Sequence, residues 1–347
     1  MQNKVICQHR IAVLKVIVIF IIFVAMAGFL FLAPLEAAEV NIKAEAEGKI
    51  MFYATTDAEK CKMLTSGFMQ LYPKIEALCV RAGSAQLAER ILAEARGGKP
   101  VWDVVLTTPL YIQVLNNRGL LSSYDSPERK HYRDGYKDKQ GIWTSVYTNY
   151  TIFGYNTKQL PKKSVPTSYH DLLKPEWRGQ IGMESRAYEW FATVVSYMGL
   201  ENGLNFMRQL VQQKLQLRNG RGLLTQLVAA GEIKGTLATF SQHFENAKAA
   251  GAPVEWVALD PVFAYLHPMG LSAKAPHPNA GKLFIDFILS RKGQEIIRSV
   301  MLIPDHMDIL PDPPRLVAGI KPVFPPPDVF DNFDKYIKLF NETILKR

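Results

Sequence analysis

KIMFYATTDAEKCKMLTSGFMQLYPKIEALCVRAGSAQLAERILAEARGGKPVWDVVLTT, residues 49–108, sets the fold class. Lys49 to Thr55 is an apolar and aromatic run that reads as a strand. Cys61, Leu64, Phe68 and Leu71 then recur at helical spacing until Pro73 stops them. Ile75 to Val80 is again strand-like. Ala85 to Ala95 carries Leu87, Ile91 and Leu92 on a helix closed by Gly97-Gly98, and Trp102 to Leu106 is a third strand. Strand, helix, strand, helix, strand in so short a stretch is a doubly wound α/β unit with parallel strands.

The pattern repeats downstream. In GYNTKQLPKKSVPTSYHDLLKPEWRGQIGM, Gly154 to Met183, a strand from Tyr150 to Tyr155 stops at the turn Asn156-Thr157. Ser168 with Asp171 three residues on can form a capping box, starting a short helix at Tyr169 that ends before Pro175. A strand follows over Gln180 to Met183, then helices over Tyr188 to Met198 and Glu201 to Gln213, parted by Gly199. Leu223 to Ala230 reads as a helix, and Ile233 to Thr239 and Val254 to Leu259 as strands. Tyr147 to Tyr155 and Phe263 to Ser272 are read as two crossings between lobes. Beyond them, a helix capped by Asn279 carries Leu283, Phe284, Phe287 and Ile288, and another spans Gly293 to Met301. Pro304 to Pro327 holds eight prolines and should lie as an extended strap. Asp331 to Ile344 is a closing helix with Phe333, Ile337, Phe340 and Ile344 on one stripe.

Lys4, Arg10 and Lys15 precede an apolar run from Val16 to Pro34, and the small residues Ala37 and Ala38 lead into an acidic, loop-like segment. Residues 1–38 are thus laid out as a signal peptide, giving a soluble periplasmic form that starts near Ala38 or Glu39. A run this long also suits an uncleaved membrane anchor, which would make the chain a tethered ligand-sensing domain. Cys7 precedes the apolar run, so it is not a lipidated mature N-terminus. Removing Lys4, Arg10, Lys15 and Glu36 lowers the net charge from +9 to +7, and no polybasic block concentrates it, so nucleic acid is not the expected partner. Cys61 and Cys79 remain, as a disulfide or as two buried thiols. About 309 mature residues exceed one hydrophobic core, so two lobes are expected, in a chain taken to be a monomer. Residues 48–148 with 273–347 form lobe I and 149–272 lobe II.

Ligands of open α/β sheets bind beyond the carboxyl ends of the strands. Those ends carry Thr55 and Thr56, Arg81 and Ser84, and Thr107 and Thr108. Ser84 also begins a helix, whose free N–H groups favour an anion; capping alone is the plain alternative for each hydroxyl. Opposite, Ser185, Arg186 and Tyr188 follow a strand and open a helix. Arg186 either clamps a carboxylate or phosphate or pairs with Glu184 or Glu189 at the surface. Ser241, Gln242 and His243 start another helix, where His243 is a ligand contact or a simple cap.

The Gly154 to Met183 stretch, with DVVLTT from Asp103, LLTQLVAAGE from Leu223 and HPNAGKLFIDFILSRKGQEII from His277, resembles in its order the family-1 extracellular solute-binding proteins of ABC importers, particularly their ferric-iron-binding branch. The resemblance implies the two-lobed type II periplasmic-binding-protein fold, a cleft between α/β lobes, hinge closure, and delivery to a membrane permease served by a separate ATPase. Iron-binding members use adjacent tyrosines near the segment that reads TFSQHF here from Thr239, and this chain has no Tyr-Tyr pair. Thr55, Thr107, Ser241 and Gln242 offer no oxygen anion to hard ferric iron. Asp57, Tyr147, Tyr150 and Tyr188 are the residues left for an unusual iron site. A small anionic or phosphorylated organic solute is therefore the expected ligand, with ferric iron the alternative and no cofactor. H-E-x-x-H, G-x-S-x-G, C-x-x-C, Walker and G-x-G-x-x-G motifs are all absent, so a binding protein rather than an enzyme is expected.

Overall fold

A computed structural model describes residues 40–346. The acidic stretch read as a loop is helical over 40–47. It docks rather than dangles, because Ala44 is buried and Glu47 accepts hydrogen bonds from Asn279 and Ala280.

The first lobe is built on parallel strands β1 (Lys49–Ala54), β2 (Glu76–Arg81) and β3 (Val104–Leu106), ordered β2-β1-β3. Both faces are covered, as an alternating strand between two helical layers requires. Ile50, Phe52 and Ala54 pack with Leu64, Phe68 and Phe284 from helices Ala58–Leu71 and Pro278–Leu289. Tyr53 turns the other way onto Leu87, Ile91 and Trp102, beside helix Ser84–Arg96. Cys61 and Cys79 form a disulfide with Cα atoms 6.3 Å apart, tying a helix to β2.

Two long strands leave this sheet. β5 (Thr144–Asn156) and β10 (Val262–Ser272) pair antiparallel from Thr144↔Met269 to Tyr150↔Ala264, with short β4 (Leu121–Ser122) beside β10. Every residue of β5 is buried. These strands are the two crossings expected from the sequence. In the second lobe β5 pairs antiparallel with β8 (Gly235–Phe240) and β9 (Val254–Val257), while β6 (Ile181–Glu184) and β7 (Gln216–Arg218) run parallel, in the order β8-β6-β7. Helices Tyr188–Met198 and Leu200–Gln212 cover one face and Arg221–Ala230 and Ser241–Ala249 the other. Before β6, Ser168 and Asp171 make the capping box, over a 3-10 turn rather than an α-helix.

The C-terminal third departs from the sequence reading in two ways. His277, not Asn279, stands at the N-cap of Pro278–Leu289, and Ser290 caps Arg291–Ser299. More importantly, the end of the chain does not return to the first lobe. After β11 (Ile303–Pro304) pairs with β5, the proline strap adds β12 (Pro322–Val323) beside β10 and lays Leu316 against the second-lobe core. Phe340, on the last helix Phe333–Phe340, then packs edge-on against Tyr188 and Phe191. The apolar stripe is buried in the second-lobe core, and residues 273–347 divide between the lobes.

Candidate functional site

The carboxyl ends of both parallel sheets open onto one cleft of about 700 Å³ between the lobes. From the first lobe, Thr55, Thr56, Arg81, Ser84 and Thr108 lie on its wall; from the second come Arg186, Tyr188, Gln242 and His243. Three residues expected there do not line it. Thr107 points into the lobe and is 2% exposed, Ser241 is 1% exposed beneath its helix start, and Ser185 turns aside to donate to Glu184 Oε1 at 3.4 Å.

The wall hydroxyls differ in what they do. Thr55 donates to the Leu106 carbonyl, so it is occupied in holding the strand end. Thr108 stands at the N-cap of Pro109–Asn117 without a side-chain cap bond, and its Oγ1 is buried with no partner. Arg81 and Arg186 are exposed and neither makes an ion pair among the described residues. Arg186 therefore pairs with neither Glu184 nor Glu189. Glu184 is engaged elsewhere, accepting from Gly220 N at 2.7 Å and from Arg186 N at 3.3 Å.

Several further residues line the wall: Tyr147 and Asp57, named from the sequence only for an iron site, and others that escaped the sequence reading. Tyr147 and Asn149 on β5 sit opposite His267 and Tyr265 on β10, so the crossings present alternate residues as the floor of the cleft. Tyr147 stacks on His267 at 4.3 Å. Period-two reading of the two crossings together would have found all four. Arg221 begins helix Arg221–Ala230, two residues before the start read from apolar spacing. Its Nε donates to the Ala238 carbonyl at 3.1 Å and its guanidinium lies 4.3 Å over the Phe240 ring. Lys60 and Asp57 pair at 3.0 Å at the cleft edge. Tyr150 does not line the cleft and packs in the second-lobe core.

Burial governs the protonation states. It lowers His267 to about 3 and His243 to about 4, so both imidazoles are neutral at pH 7. It opposes the charge on Asp57, yet Lys60 outweighs it and holds that carboxyl below its ordinary range. Glu189 is raised by burial despite Thr108 and Arg221 nearby. Tyr111 is pushed up to about 12 by burial, while Tyr147 and Tyr265 are raised further by the same cause. Tyr111, Tyr147 and Tyr265 are therefore poor sources of tyrosinate.

Residues 99–317 match the family of bacterial extracellular solute-binding proteins. The chain belongs to that family. As a solute-binding protein it is a transport component and not an enzyme. It is 24% identical over 266 residues to an Fe(3+)-binding periplasmic protein of Serratia marcescens, covering 74% of this chain and 78% of the relative. To a putative 2-aminoethylphosphonate-binding periplasmic protein of Salmonella typhimurium it is 25% identical over 246 residues, covering 67% and 70%. In fold this solute-binding protein matches the AfuA periplasmic binding protein of Actinobacillus pleuropneumoniae with fructose-6-phosphate bound, at 22% identity and a TM-score of 0.77 over 86% and 99% of the two chains. It also matches iron-bound HitA of Pseudomonas aeruginosa, at 20% identity and 0.75 over 85% and 99%. No helix among the described residues is long and apolar enough to cross a membrane; Val16 to Pro34 and Cys7 lie outside them.

Proposed function

We propose that this solute-binding protein captures a small organic anion, carrying a phosphate or phosphonate, and passes it in the periplasm to an ABC permease and its ATPase. One observation carries the reading. Arg81 and Arg186 come from opposite lobes, face one cleft and have no ion-pair partner among the described residues, so closure would bring two guanidinium groups onto the same anion. The start of helix Ser84–Arg96 lies on the same wall and adds backbone N–H groups suited to anionic oxygens. A cavity near 700 Å³ suits a molecule of small-metabolite size. Ferric iron would need oxygen anions, and burial keeps Tyr111 and Tyr147 protonated. Paired tyrosines are absent from the chain.

Arg186→Ala tests the reading. Losing one partner of a desolvated charge pair should weaken binding of the best phosphorylated ligand by about 2 to 5 kcal/mol, measured by calorimetry after a thermal-shift screen of phosphonates, sugar phosphates and carboxylates. Ferric citrate should give no tyrosinate-to-iron absorption band. A stable coloured 1:1 iron complex, lost in Tyr147→Phe or Tyr188→Phe, would overturn the proposal.

A further inference from the structure

A second constellation lies away from the cleft. Glu128, His131 and His306 each bring one ligand atom within 4.8 Å of the others', and none of the three lines the cleft. The 3-10 turn Pro127–His131 sets the first two, because side chains three residues apart eclipse in such a turn. Arg129, buried in the same turn, anchors it by donating to the Trp143 carbonyl and to Thr144 Oγ1. His306 arrives just after β11, in an antiparallel bridge with Tyr132, while Met307 N donates to the His131 carbonyl at 3.0 Å. The rings of His131 and His306 lie face to face, 4.8 Å apart. Asp308 adds a carboxylate 3.6 Å from His131 Nδ1.

We propose that Glu128, His131 and His306 bind one divalent transition-metal ion of the zinc class, which clips the start of the proline strap to the first lobe. Two imidazoles and a carboxylate suit zinc and its borderline neighbours rather than hard ferric iron, and they leave a fourth position for water. Tetrahedral zinc, with bonds of about 2.0 to 2.1 Å, holds its ligand atoms roughly 3.3 Å apart. The three groups therefore need to close by about 1.5 Å at most. Glu128 and His131 are only half-buried and can swing that far towards His306, which packing holds in place. The same swing opens the ring stack and turns both imidazoles onto the ion. Ligation costs at most the 3.2 Å bond that His306 Nδ1 accepts from Asp308 N, because a metal on Nε2 leaves the ring proton on Nδ1. Asp308 is placed to give His131 the outer-shell acceptor that ligating histidines ordinarily have. From this point the strap runs to β12 and the second-lobe core, so the ion would fix its origin.

The test is calorimetric titration of the tag-free protein with zinc chloride, which should bind one equivalent with a Kd of about 10 μM or below. Glu128→Gln and His131→Ala should each weaken binding about 100-fold or more, and Asp308→Asn about 10-fold, since even an outer-shell partner is worth about 10- to 100-fold. Circular dichroism confirms the fold of these variants, whose positions are not fully buried. Zinc should raise the melting temperature of the unaltered protein and not that of His131→Ala. Arg186→Ala should leave zinc binding unchanged, which separates this site from the anion reading. No saturable binding tighter than about 100 μM, or binding that survives both Glu128→Gln and His131→Ala, would overturn the clip. So would binding lost in His243→Ala instead, which would put the ion in the cleft.

Discussion

Replacing Asp305 by asparagine should stabilise this protein at pH 8 and not at pH 4. Asp305 follows β11 and lies against the first crossing, where its Oδ1 accepts from Thr148 Oγ1 at 2.6 Å and its Oδ2 is buried without a partner. Burial pushes the carboxyl up to about 7, opposed by Ser145, Thr148 and the charge of Arg133. An unfolded aspartate titrates near 3.9. Between those values the folded state holds a proton that the unfolded chain has released, so stability falls as pH rises through this window and the full penalty is present above about 7. A gap of about three pH units at about 1.4 kcal/mol each gives roughly 4 kcal/mol. Asparagine keeps the acceptor for Thr148 but buries an unpaired amide N–H, at about 1 to 3 kcal/mol. The net gain at pH 8 is then about 1 to 3 kcal/mol, vanishing or reversing at pH 4. Urea unfolding of both proteins at each pH from 4 to 8 measures it, comparing midpoints at equal slope. A difference that stays constant across that range would refute the reasoning, because no proton would then be linked to folding at this site.

Two further outcomes follow from packing and covalent structure. Replacing Cys61 and Cys79 together by alanine removes a cross-link of sequence separation 18 and should lower stability by about 3 kcal/mol; a urea midpoint unmoved by the double substitution would contradict it. At Gly154 an added Cβ would stand 2.1 Å from the fully buried Phe244 ring, so Gly154→Ala should cost about 1 to 3 kcal/mol, most of it recovered when Phe244→Leu is added; additive losses would show that the ring is not the obstacle.

The strands and helices that carry strong periodicity were legible in the sequence because period and burial coincide there. Residues 49–108 and the two crossings were of this kind, as was the capping box at Ser168, whose partners are three residues apart. The C-terminal helix shows the limit. Its stripe of Phe333, Ile337, Phe340 and Ile344 declares one buried face but not which surface receives it, and Tyr188 and Phe191 are more than 140 residues away in the chain. The cleft divided along the same line. Strand ends pointed to Arg81, Thr108 and Arg186, which line the cleft, and equally to Thr107, Ser185 and Ser241, which do not. Glu189 was read only as a surface partner for Arg186, and Arg221 and His267 went unread, because their meaning arises only once distant elements meet.

The described chain begins at residues 40–47 docked on the first lobe and finishes in a helix seated on the second. Its two ends therefore ride on different bodies. A donor fluorophore near the exposed Ile42 and an acceptor near the exposed Leu345 would sit across the moving joint without touching the cleft, so the separation of the labels would follow closure directly. The path of the last helix, which frustrates a reading of lobe boundaries from sequence, makes this scaffold suited to an optical sensor for whatever solute it takes up.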